Sequence, residues 1–225
     1  MSEKEPAMTR KLDALYPLQK RDVPQAAAVL VDAFEHDPIW QVVLSDTTPT
    51  QKAGAFETPL LYCLKYGEVY TTSENLEGIA AWMLGDLAVM TPWRMVRSGA
   101  MRAALKMGWK VAKKMEPIFG PLDADRQEIM KGRSFTYLQI IGVAPALQGQ
   151  GFGGKLLRAL IEESERTRTP LYLETETESN VRMYERFGFV VVKENVLPVI
   201  HLPMWEMVRN VIQKRPSEAQ TTEQA

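Results

Sequence analysis

Apolar residues in the first third of the chain recur at the spacing expected of helices. In the segment 22–37, positions three or four residues apart form an apolar stripe made of Ala27, Leu30, Val31 and Phe34, which predicts a first helix. This helix should end near the sequence EHDPIW, because the residue before a proline avoids helical backbone angles. A second predicted helix covers about residues 51–66.

Strand-like patterns then alternate with helical ones. Residues 67–73 and 78–85 are short apolar stretches joined by the polar sequence SENLE, which predicts an antiparallel pair of strands. Residues 134–143, SFTYLQIIGV, are apolar on both faces, as expected of a central strand. Further strands are predicted at 170–175, 189–196 and 199–208, with helices beginning near residue 152 and over about 179–188. This order predicts a mixed α/β sheet with one right-handed parallel crossover.

Residues 91–116 have a longer helical pattern than any other segment. Their apolar stripe consists of Trp93, Val96, Ala100, Ala104, Met107 and Val111. The pattern predicts one long helix, in which Gly99 and Gly108 are weak interruptions. The prolines and aspartates that follow, in residues 117–133, indicate a looser connection.

Composition places the chain in the ordinary range for a globular protein. Of its 225 residues, 45% are apolar and 24% are charged, and the net charge is −1, so a general attraction to nucleic acid is not expected. We expect one domain over residues 1–212 and a disordered tail over 213–225. A signal peptide, a transmembrane helix and a metal-binding cluster are not expected. The single cysteine, Cys63, is compatible with a cytoplasmic protein.

The sequence GVAPALQGQGFGGKLL, residues 142–157, places four glycines at the start of a predicted helix. A helix N-terminus has free N–H groups and a positive dipole end, and glycine lets a bulky anion approach the backbone closely. The spacing is not that of a dinucleotide fingerprint, and Leu156 stands where a P-loop has a serine or threonine. Residues 148–154 therefore predict a pyrophosphate-binding loop; a tight helix entry without a ligand is the alternative.

Two segments of the chain resemble the GCN5-related N-acetyltransferase (GNAT) superfamily. Gln148, Gly151 and Gly153 match its acetyl-coenzyme A signature, Gln/Arg-x-x-Gly-x-Gly/Ala. About thirty residues later, the family's Asn-x-x-x-Tyr-x-x-x-Gly-Phe segment is matched by Asn180, Tyr184, Gly188 and Phe189. The resemblance covers residues 134 to about 193, which would form the cofactor-binding core. Residues 91–133 would be a helical insertion.

The resemblance implies a twisted mixed sheet with helices on both faces and with its fourth and fifth strands splayed apart. It also implies that acetyl-coenzyme A pairs with the fourth strand and places its pyrophosphate on the glycine loop. The implied cofactor-binding residues are Ile141, Gly142, Val143, Gln148, Gly149, Gln150, Gly151, Phe152, Gly153, Gly154 and Asn180. Gly142 fits either a bulge in the fourth strand or a simple strand end. Asn180 can bind the cofactor or cap its helix.

The implied activity is transfer of an acetyl group to an amine of a small molecule or peptide, by direct attack in a ternary complex. Tyr184 is the expected hydrogen-bond donor to the leaving thiolate, with packing as its alternative role. The fourth strand has no carboxylate, so Glu174 is the candidate base, with Glu176 as an alternative and no direct base as another. The expected walls of the acceptor pocket are Phe34, His36, Asp37, Trp40 and Trp82. A homodimer is possible, and a non-catalytic acetyl-coenzyme A sensor is the alternative function.

The insertion also has a strongly biased charge. Between Asp86 and Glu116 there is no acidic residue but there are seven basic ones: Arg94, Arg97, Arg102, Lys106, Lys110, Lys113 and Lys114. The last five of these lie mainly opposite the apolar stripe. The simplest interpretation is a solvated helix face. A sharper hypothesis is that this face borders the acceptor channel and favours negatively charged acceptors, with binding to acidic surfaces as a variant.

Overall fold

A mixed β-sheet forms the centre of the protein, which a computed structural model describes over residues 11–197 and 199–212. Within these residues, seven strands are arranged in the order β1-β2-β3-β4-β5-β7-β6. Their bounds are Tyr16–Pro17 (β1), Gly67–Thr71 (β2), Gly78–Leu84 (β3), Thr136–Val143 (β4), Leu171–Thr175 (β5), Val190–Leu197 (β6) and Leu202–Arg209 (β7). All neighbouring pairs are antiparallel except β4 and β5, which are parallel.

Helices cover both faces of this sheet. Their bounds are Val23–Ala33 (α1), Pro38–Val43 (α2), Pro49–Tyr66 (α3), Pro92–Ser98 (α4), Ala100–Met107 (α5), Trp109–Ile129 (α6), Phe152–Thr167 (α7) and Glu178–Arg186 (α8). Side chains alternate along β3, so Ala81 and Met83 pack in the cluster with α1 and α3, while Ala80 and Trp82 pack with α7. The predicted mixed sheet with helices on both faces is confirmed.

The parallel pair β4–β5 is held together at one end only. Thr136 pairs with Leu171 and Tyr137 with Tyr172, and the ladder then stops. On its other side, β4 stays paired with β3 as far as Val143. The register of that pair shifts between Ala81 and Trp82, which leaves Gln139 of β4 as the extra residue of a bulge. The two central strands therefore splay apart, as the sequence resemblance implied.

The prediction of one long helix over residues 91–116 was wrong. The segment forms the separate helices α4, α5 and α6, which are divided at Gly99 and Gly108. Both glycines have positive φ angles, +79° and +84°, and such angles cannot continue an α-helix. The apolar stripe is divided as well, since Ala100, Met107 and Val111 are buried while Trp93 and Val96 are exposed.

Other local predictions also need correction. Residues 117–129 belong to α6 despite Pro117 and Pro121, so this segment is not a loose connection. The cap of α8 is Thr177, whose side chain accepts a hydrogen bond from the Asn180 N–H group at 3.3 Å, so Asn180 is not the cap. His201 precedes β7 in an exposed turn rather than lying within a strand. The predicted tail, 213–225, lies outside the described residues.

Gly142 is neither a bulge residue nor a strand end. It pairs regularly with Ile79 of β3. A Cβ atom at this position would lie 2.7 Å from Cδ2 of Leu30 and 3.1 Å from Cε2 of Phe34, both on the α1 side. Glycine fits here because a side chain would require Leu30, which is fully buried, and Phe34 to move.

We expect Gly142→Ala to lower the free energy of unfolding by about 1–3 kcal/mol, because the added methyl group overpacks a fully buried contact. Gly154→Ala is the control. It adds the same group in the first turn of α7, where the nearest atom is the flexible Nη1 of Arg158 at 3.2 Å. There, stability should be unchanged or higher by up to about 1 kcal/mol. Urea unfolding of both variants checks this; equal changes would contradict the close-packing explanation.

Candidate active site

The glycine loop joins the end of β4 to the start of α7. Gly149 and Gly151 adopt φ angles of +77° and +89°, and nothing lies within 4 Å of where their Cβ atoms would be. The first hydrogen bond of α7 runs from the Lys155 N–H group to the Gly151 carbonyl at 2.9 Å. The N–H groups of residues 151–154 therefore precede the helical ladder, and they make the loop a candidate anion site.

Side-chain hydrogen bonds hold this loop against the sheet. Gln148 donates from Nε2 to the carbonyl of Val143 at the end of β4, at 3.2 Å. Lys155 donates from Nζ to the Thr72 carbonyl, just after β2, at 2.9 Å. The glutamine of the signature therefore orients the loop relative to β4, and the lysine anchors the first turn of α7 to the neighbouring strand pair.

A cavity of about 590 Å³ opens at the gap between β4 and β5. Its sheet side is formed by Ile140 and Ile141 of β4, by residues 173–176 in and just after β5, and by Asn180 and Tyr184 of α8. Its other side is formed by α2, α3 and the insertion helices α5 and α6. Strand divergence thus produces one chamber that is shared by the sheet, α8 and the insertion.

Tyr184 lies at the wall of this chamber and is 6% exposed. Its ring makes an edge contact with Phe189, with the ring centroids 5.6 Å apart. Burial, and then the negative charge of Glu176, raise the pKa of the Tyr184 hydroxyl well above its usual value. The phenol therefore stays protonated at neutral pH and is available as a hydrogen-bond donor.

Glu174 is held in an ion pair with Arg126 of α6. The Arg126 guanidinium is 3% exposed, donates to Glu174 Oε1 at 2.9 Å and also contacts Asp123. The guanidinium carbon, Cζ, also lies 4.2 Å from the ring centroid of Tyr137, in a cation–π contact. Burial raises the pKa of Glu174, and the charge of Arg126 opposes this shift. A carboxylate paired in this way is poorly placed to accept a proton from an incoming amine.

Arg126 has no counterpart in the sequence-based predictions. It lies in the segment that the prolines marked as a loose connection, and no local pattern indicates that it is buried. The only signal within the sequence is a helical spacing of Leu122 and Arg126, four residues apart. That spacing indicates a helix only if Pro117 and Pro121 are assumed to lie within it.

Glu176 faces a different partner, Asp37. Both carboxyl groups line the cavity. Burial, followed by a hydrogen bond to Asp37 and its negative charge, raises the pKa of Glu176 to about 9. Asp37 is fixed in place because it caps α2, where its Oδ1 accepts a hydrogen bond from the Trp40 N–H group at 2.9 Å. Glu176 therefore keeps its proton at neutral pH, next to the Asp37 carboxyl group.

An aromatic wall stands beside this carboxyl pair. Trp40 is the centre of the wall, and its ring centroid lies 6.3 Å from that of Phe34 and 6.2 Å from that of Phe119. All three side chains line the cavity. A fourth ring, Phe56, packs behind Trp40 at 4.5 Å and is fully buried.

Comparison with known proteins places the chain in a family. A family model described as an acetyltransferase (GNAT) domain matches residues 119–191. An uncharacterized N-acetyltransferase from Schizosaccharomyces pombe is 31% identical over 181 residues, which covers 77% of this chain and 72% of the relative. The chain belongs to the GNAT superfamily of acetyltransferases. Membership confirms both the resemblance and the prediction of an acetyltransferase enzyme.

Solved structures show the same GNAT fold. The histone acetyltransferase HPA2 and related acetyltransferase from Corynebacterium glutamicum has a TM-score of 0.62 and 20% identity, covering 91% of this chain and 98% of its own. A Drosophila melanogaster polyamine N-acetyltransferase that forms N-acetylagmatine has a TM-score of 0.58 and 14% identity, covering 88% of this chain and 99% of its own. At these identities the likeness concerns the fold alone.

Within this GNAT acetyltransferase, the sequence-predicted pocket residues divide into two groups. Phe34, Asp37 and Trp40 meet at the cavity, but His36 is exposed and does not line it. Trp82 is buried on the opposite face of the sheet, where it stacks on Tyr70 with the centroids 5.4 Å apart. Strand alternation explains this position, because the neighbouring residues Ala81 and Met83 are the ones that face α3.

The described part of this acetyltransferase contains neither a metal site nor a membrane span. No group of three or more His, Cys, Asp or Glu side chains among residues 11–197 and 199–212 is arranged to hold a metal ion. In the same residues, no helix combines the length and the apolar character needed to cross a membrane.

The protonated state of Glu176 predicts a pH-dependent stability. Its pKa is about 9 in the folded protein and about 4.3 in an unfolded chain. Between these values the folded protein keeps a proton that the unfolded chain releases, so stability falls as pH rises. Glu176→Gln cannot titrate and so lacks this effect. Its free energy of unfolding, relative to that of wild type, should therefore rise by at least about 1 kcal/mol from pH 5 to pH 9.

Urea unfolding at both pH values measures this gain, with Glu178→Gln as the control. Glu178 lies two residues further on and is exposed in a surface pair with Arg182. Its substitution should shift stability by less than about 0.5 kcal/mol at either pH. The assignment of the proton to Glu176 fails if the free energies of unfolding of Glu176→Gln and wild type change by the same amount from pH 5 to pH 9.

Proposed function

We propose that this enzyme transfers an acetyl group from acetyl-coenzyme A to an amine, by direct attack in a ternary complex. The observation that carries the proposal is the junction of two features at the end of β4. The glycine loop, a candidate anion site, begins there, and the gap that leads to Tyr184 opens beside it. GNAT enzymes use acetyl-coenzyme A, and a ligand with a phosphate end and an acyl end fits this junction.

Two groups of residues would hold the cofactor. The backbone of Ile141, Gly142 and Val143 is paired with β3 on one side only, so its other edge is free of β5 and suits the amides of the pantetheine arm. The N–H groups of residues 151–154 suit the pyrophosphate, and Gln148, Gly149 and Gln150 shape the approach to them. Asn180 lines the cavity beside Tyr184 and is positioned for a hydrogen bond to the bound thioester arm.

The cofactor supplies a thioester, and the protein must manage two protons around it. An alkylamine with a pKa near 10 costs about 4–5 kcal/mol to deprotonate at pH 7, so a base is useful. We assign this role to Glu176 rather than Glu174, because Glu174 is paired with Arg126. Glu176 faces the cavity beside Asp37 and can accept a proton once a bound ammonium group has displaced the one it holds. On the other side of the reacting carbon, the buried hydroxyl of Tyr184 donates to the leaving sulfur and finally protonates it.

Three further statements stay predictions. The cytoplasm is the expected location, and a homodimer is the expected oligomer if the protein is not a monomer. Residues 1–212 are expected to act as one domain with residues 91–133 as its insertion. Cell fractionation and light scattering of the purified protein check the first two, and limited proteolysis checks the third.

The glycine loop can be tested by placing a negative charge in it. We expect Gly151→Asp to weaken acetyl-coenzyme A binding at least tenfold, because a carboxylate would face the pyrophosphate. Gly151→Asn is the matched control, since asparagine has nearly the same shape and also tolerates the positive φ angle of this position. Calorimetry should show a clearly smaller loss for the control. Equal affinities for the aspartate and asparagine variants would exclude the loop as the pyrophosphate site.

Tyr184 can be tested by removing its hydroxyl. Tyr184→Phe should change stability by less than about 1.5 kcal/mol, because the ring and its contact with Phe189 remain. Turnover should fall about tenfold to a thousandfold if the hydroxyl acts on the leaving thiolate, with cofactor affinity within a few-fold of wild type. Single-turnover thiol release measures the chemical step. An unchanged rate in that assay would leave Tyr184 with a packing role only.

A further inference from the structure

The charge of the cavity lining is strongly one-sided. Among the described residues that line it, five carry carboxyl groups: Asp37, Glu116, Asp123, Glu174 and Glu176. The same described residues include one cationic side chain, Arg126, which is already paired with Glu174 and Asp123. An incoming molecule therefore meets a lining in which carboxyl groups outnumber cations, and two of these carboxyl groups, Asp37 and Glu176, face each other near Tyr184.

The basic residues of the insertion do not offset this charge within the cavity. None of the seven lines it. Lys106 instead pairs with Glu57 of α3 at 2.8 Å, and Lys114 donates to Oγ of Ser45 at 2.7 Å. The hypothesis that the basic face borders the acceptor channel finds no support in this cavity, because α5 and α6 contribute alanine, methionine and carboxylate side chains to the lining but none of the seven basic residues.

The rest of the lining is apolar. Next to the carboxyl pair stands the aromatic wall of Phe34, Trp40 and Phe119, and beyond it lie methionines that include Met107 and Met115. Carboxylates together with aromatic faces attract alkylammonium groups, through ion pairing and cation–π contact. Methionine is flexible, so it fits apolar chains of varied shape.

From this arrangement we infer the class of acceptor: a primary amine with an apolar alkyl or arylalkyl body and no negative charge. The ammonium group sits between Asp37 and Glu176, and the body lies along the aromatic wall and the methionines. This inference rests on the proposed acetyl transfer. It goes beyond that proposal because it excludes amino acids, acidic peptides and phosphorylated amines as preferred acceptors.

The protons balance along this route. The ammonium group displaces to solvent the proton that Glu176 holds, because a nearby positive charge favours the carboxylate form. Glu176 then takes one proton from the ammonium group, which frees the nitrogen lone pair to form the C–N bond. As the C–S bond breaks, the nitrogen loses a second proton to solvent and the sulfur gains one through Tyr184. The products are the N-acetylated amine, the free thiol and one released proton.

A matched pair of acceptors tests the charge preference. Hexylamine and 6-aminohexanoate have the same chain, but the second carries a carboxylate at its far end. With acetyl-coenzyme A as donor, kcat/KM measured by thiol release should be at least tenfold higher for hexylamine. Equal values, or a preference for 6-aminohexanoate, overturn the inference.

Two variants connect the preference to named residues. Asp37→Asn keeps an oxygen to cap α2 but removes the charge, and it should raise the KM for hexylamine at least tenfold while leaving acetyl-coenzyme A affinity unchanged. Trp40→Leu should reduce the ratio of kcat/KM for hexylamine to kcat/KM for ethylamine at least threefold. Trp93→Leu is the control for the tryptophan substitution, because Trp93 is 67% exposed on α4 and lies outside the cavity. The inference is also overturned if Trp40→Leu behaves like Trp93→Leu.

The remaining outcomes separate this inference from the proposed function. If calorimetry shows no binding of acetyl-coenzyme A and no amine releases thiol, the proposed function itself fails. If the cofactor binds but hexylamine and phenethylamine are not acetylated, the acceptor class is wrong while the cofactor site stands. If kcat/KM is higher with hexanoyl- than with acetyl-coenzyme A and does not depend on the length of the amine, the apolar wall binds the acyl chain of the donor. That result also overturns the inference.

Discussion

The site depends on one feature of the sheet, the early end of the ladder between β4 and β5. After two residue pairs, β4 remains with β3 while β5 remains with β7 through five pairs, from Leu171–Arg209 to Thr175–Trp205. Where the backbone ladder stops, Arg126 connects the strands through side chains, since it stacks on Tyr137 of β4 and binds Glu174 of β5. The buried ion pair of Arg126 and Glu174 therefore closes one end of the gap, and the cavity begins beyond it.

Two glutamates near the end of β5 show how strongly environment determines chemistry. Glu174 and Glu176 are two residues apart, so they project in the same general direction from an extended chain. Glu174 meets a buried guanidinium and becomes part of the framework, whereas Glu176 meets another carboxyl group and retains a proton. Two glutamates so close in the chain thus have different roles: Glu174 is structural, and Glu176 has the proposed reactive role.

The insertion contributes volume and apolar surface to the cavity. Positive φ angles at Gly99 and Gly108 turn the chain twice, so α5 packs against α3 while α6 crosses to the open side of the gap. This path brings both Met107 and Phe119 to the cavity and Arg126 to its closed end. Two of the basic side chains outside the cavity, Lys106 and Lys114, bind to Glu57 of α3 and to Ser45 after α2, which fixes the insertion to the rest of the protein.

The sequence by itself determined the mixed sheet, the glycine loop, the family and the positions of Gln148, Asn180 and Tyr184, because these depend on short-range periodicity and on motifs contiguous in the chain. It also indicated Phe34, Asp37 and Trp40 as pocket residues. Only the tertiary structure decided that Glu174 pairs with a cation while Glu176 faces another carboxyl group. The first depends on Arg126, 48 residues before Glu174, and the second on Asp37, which is even further from Glu176 in the chain. The packing of α6 likewise decided the charge of the cavity, since no local pattern specifies which face of a helix another segment will cover.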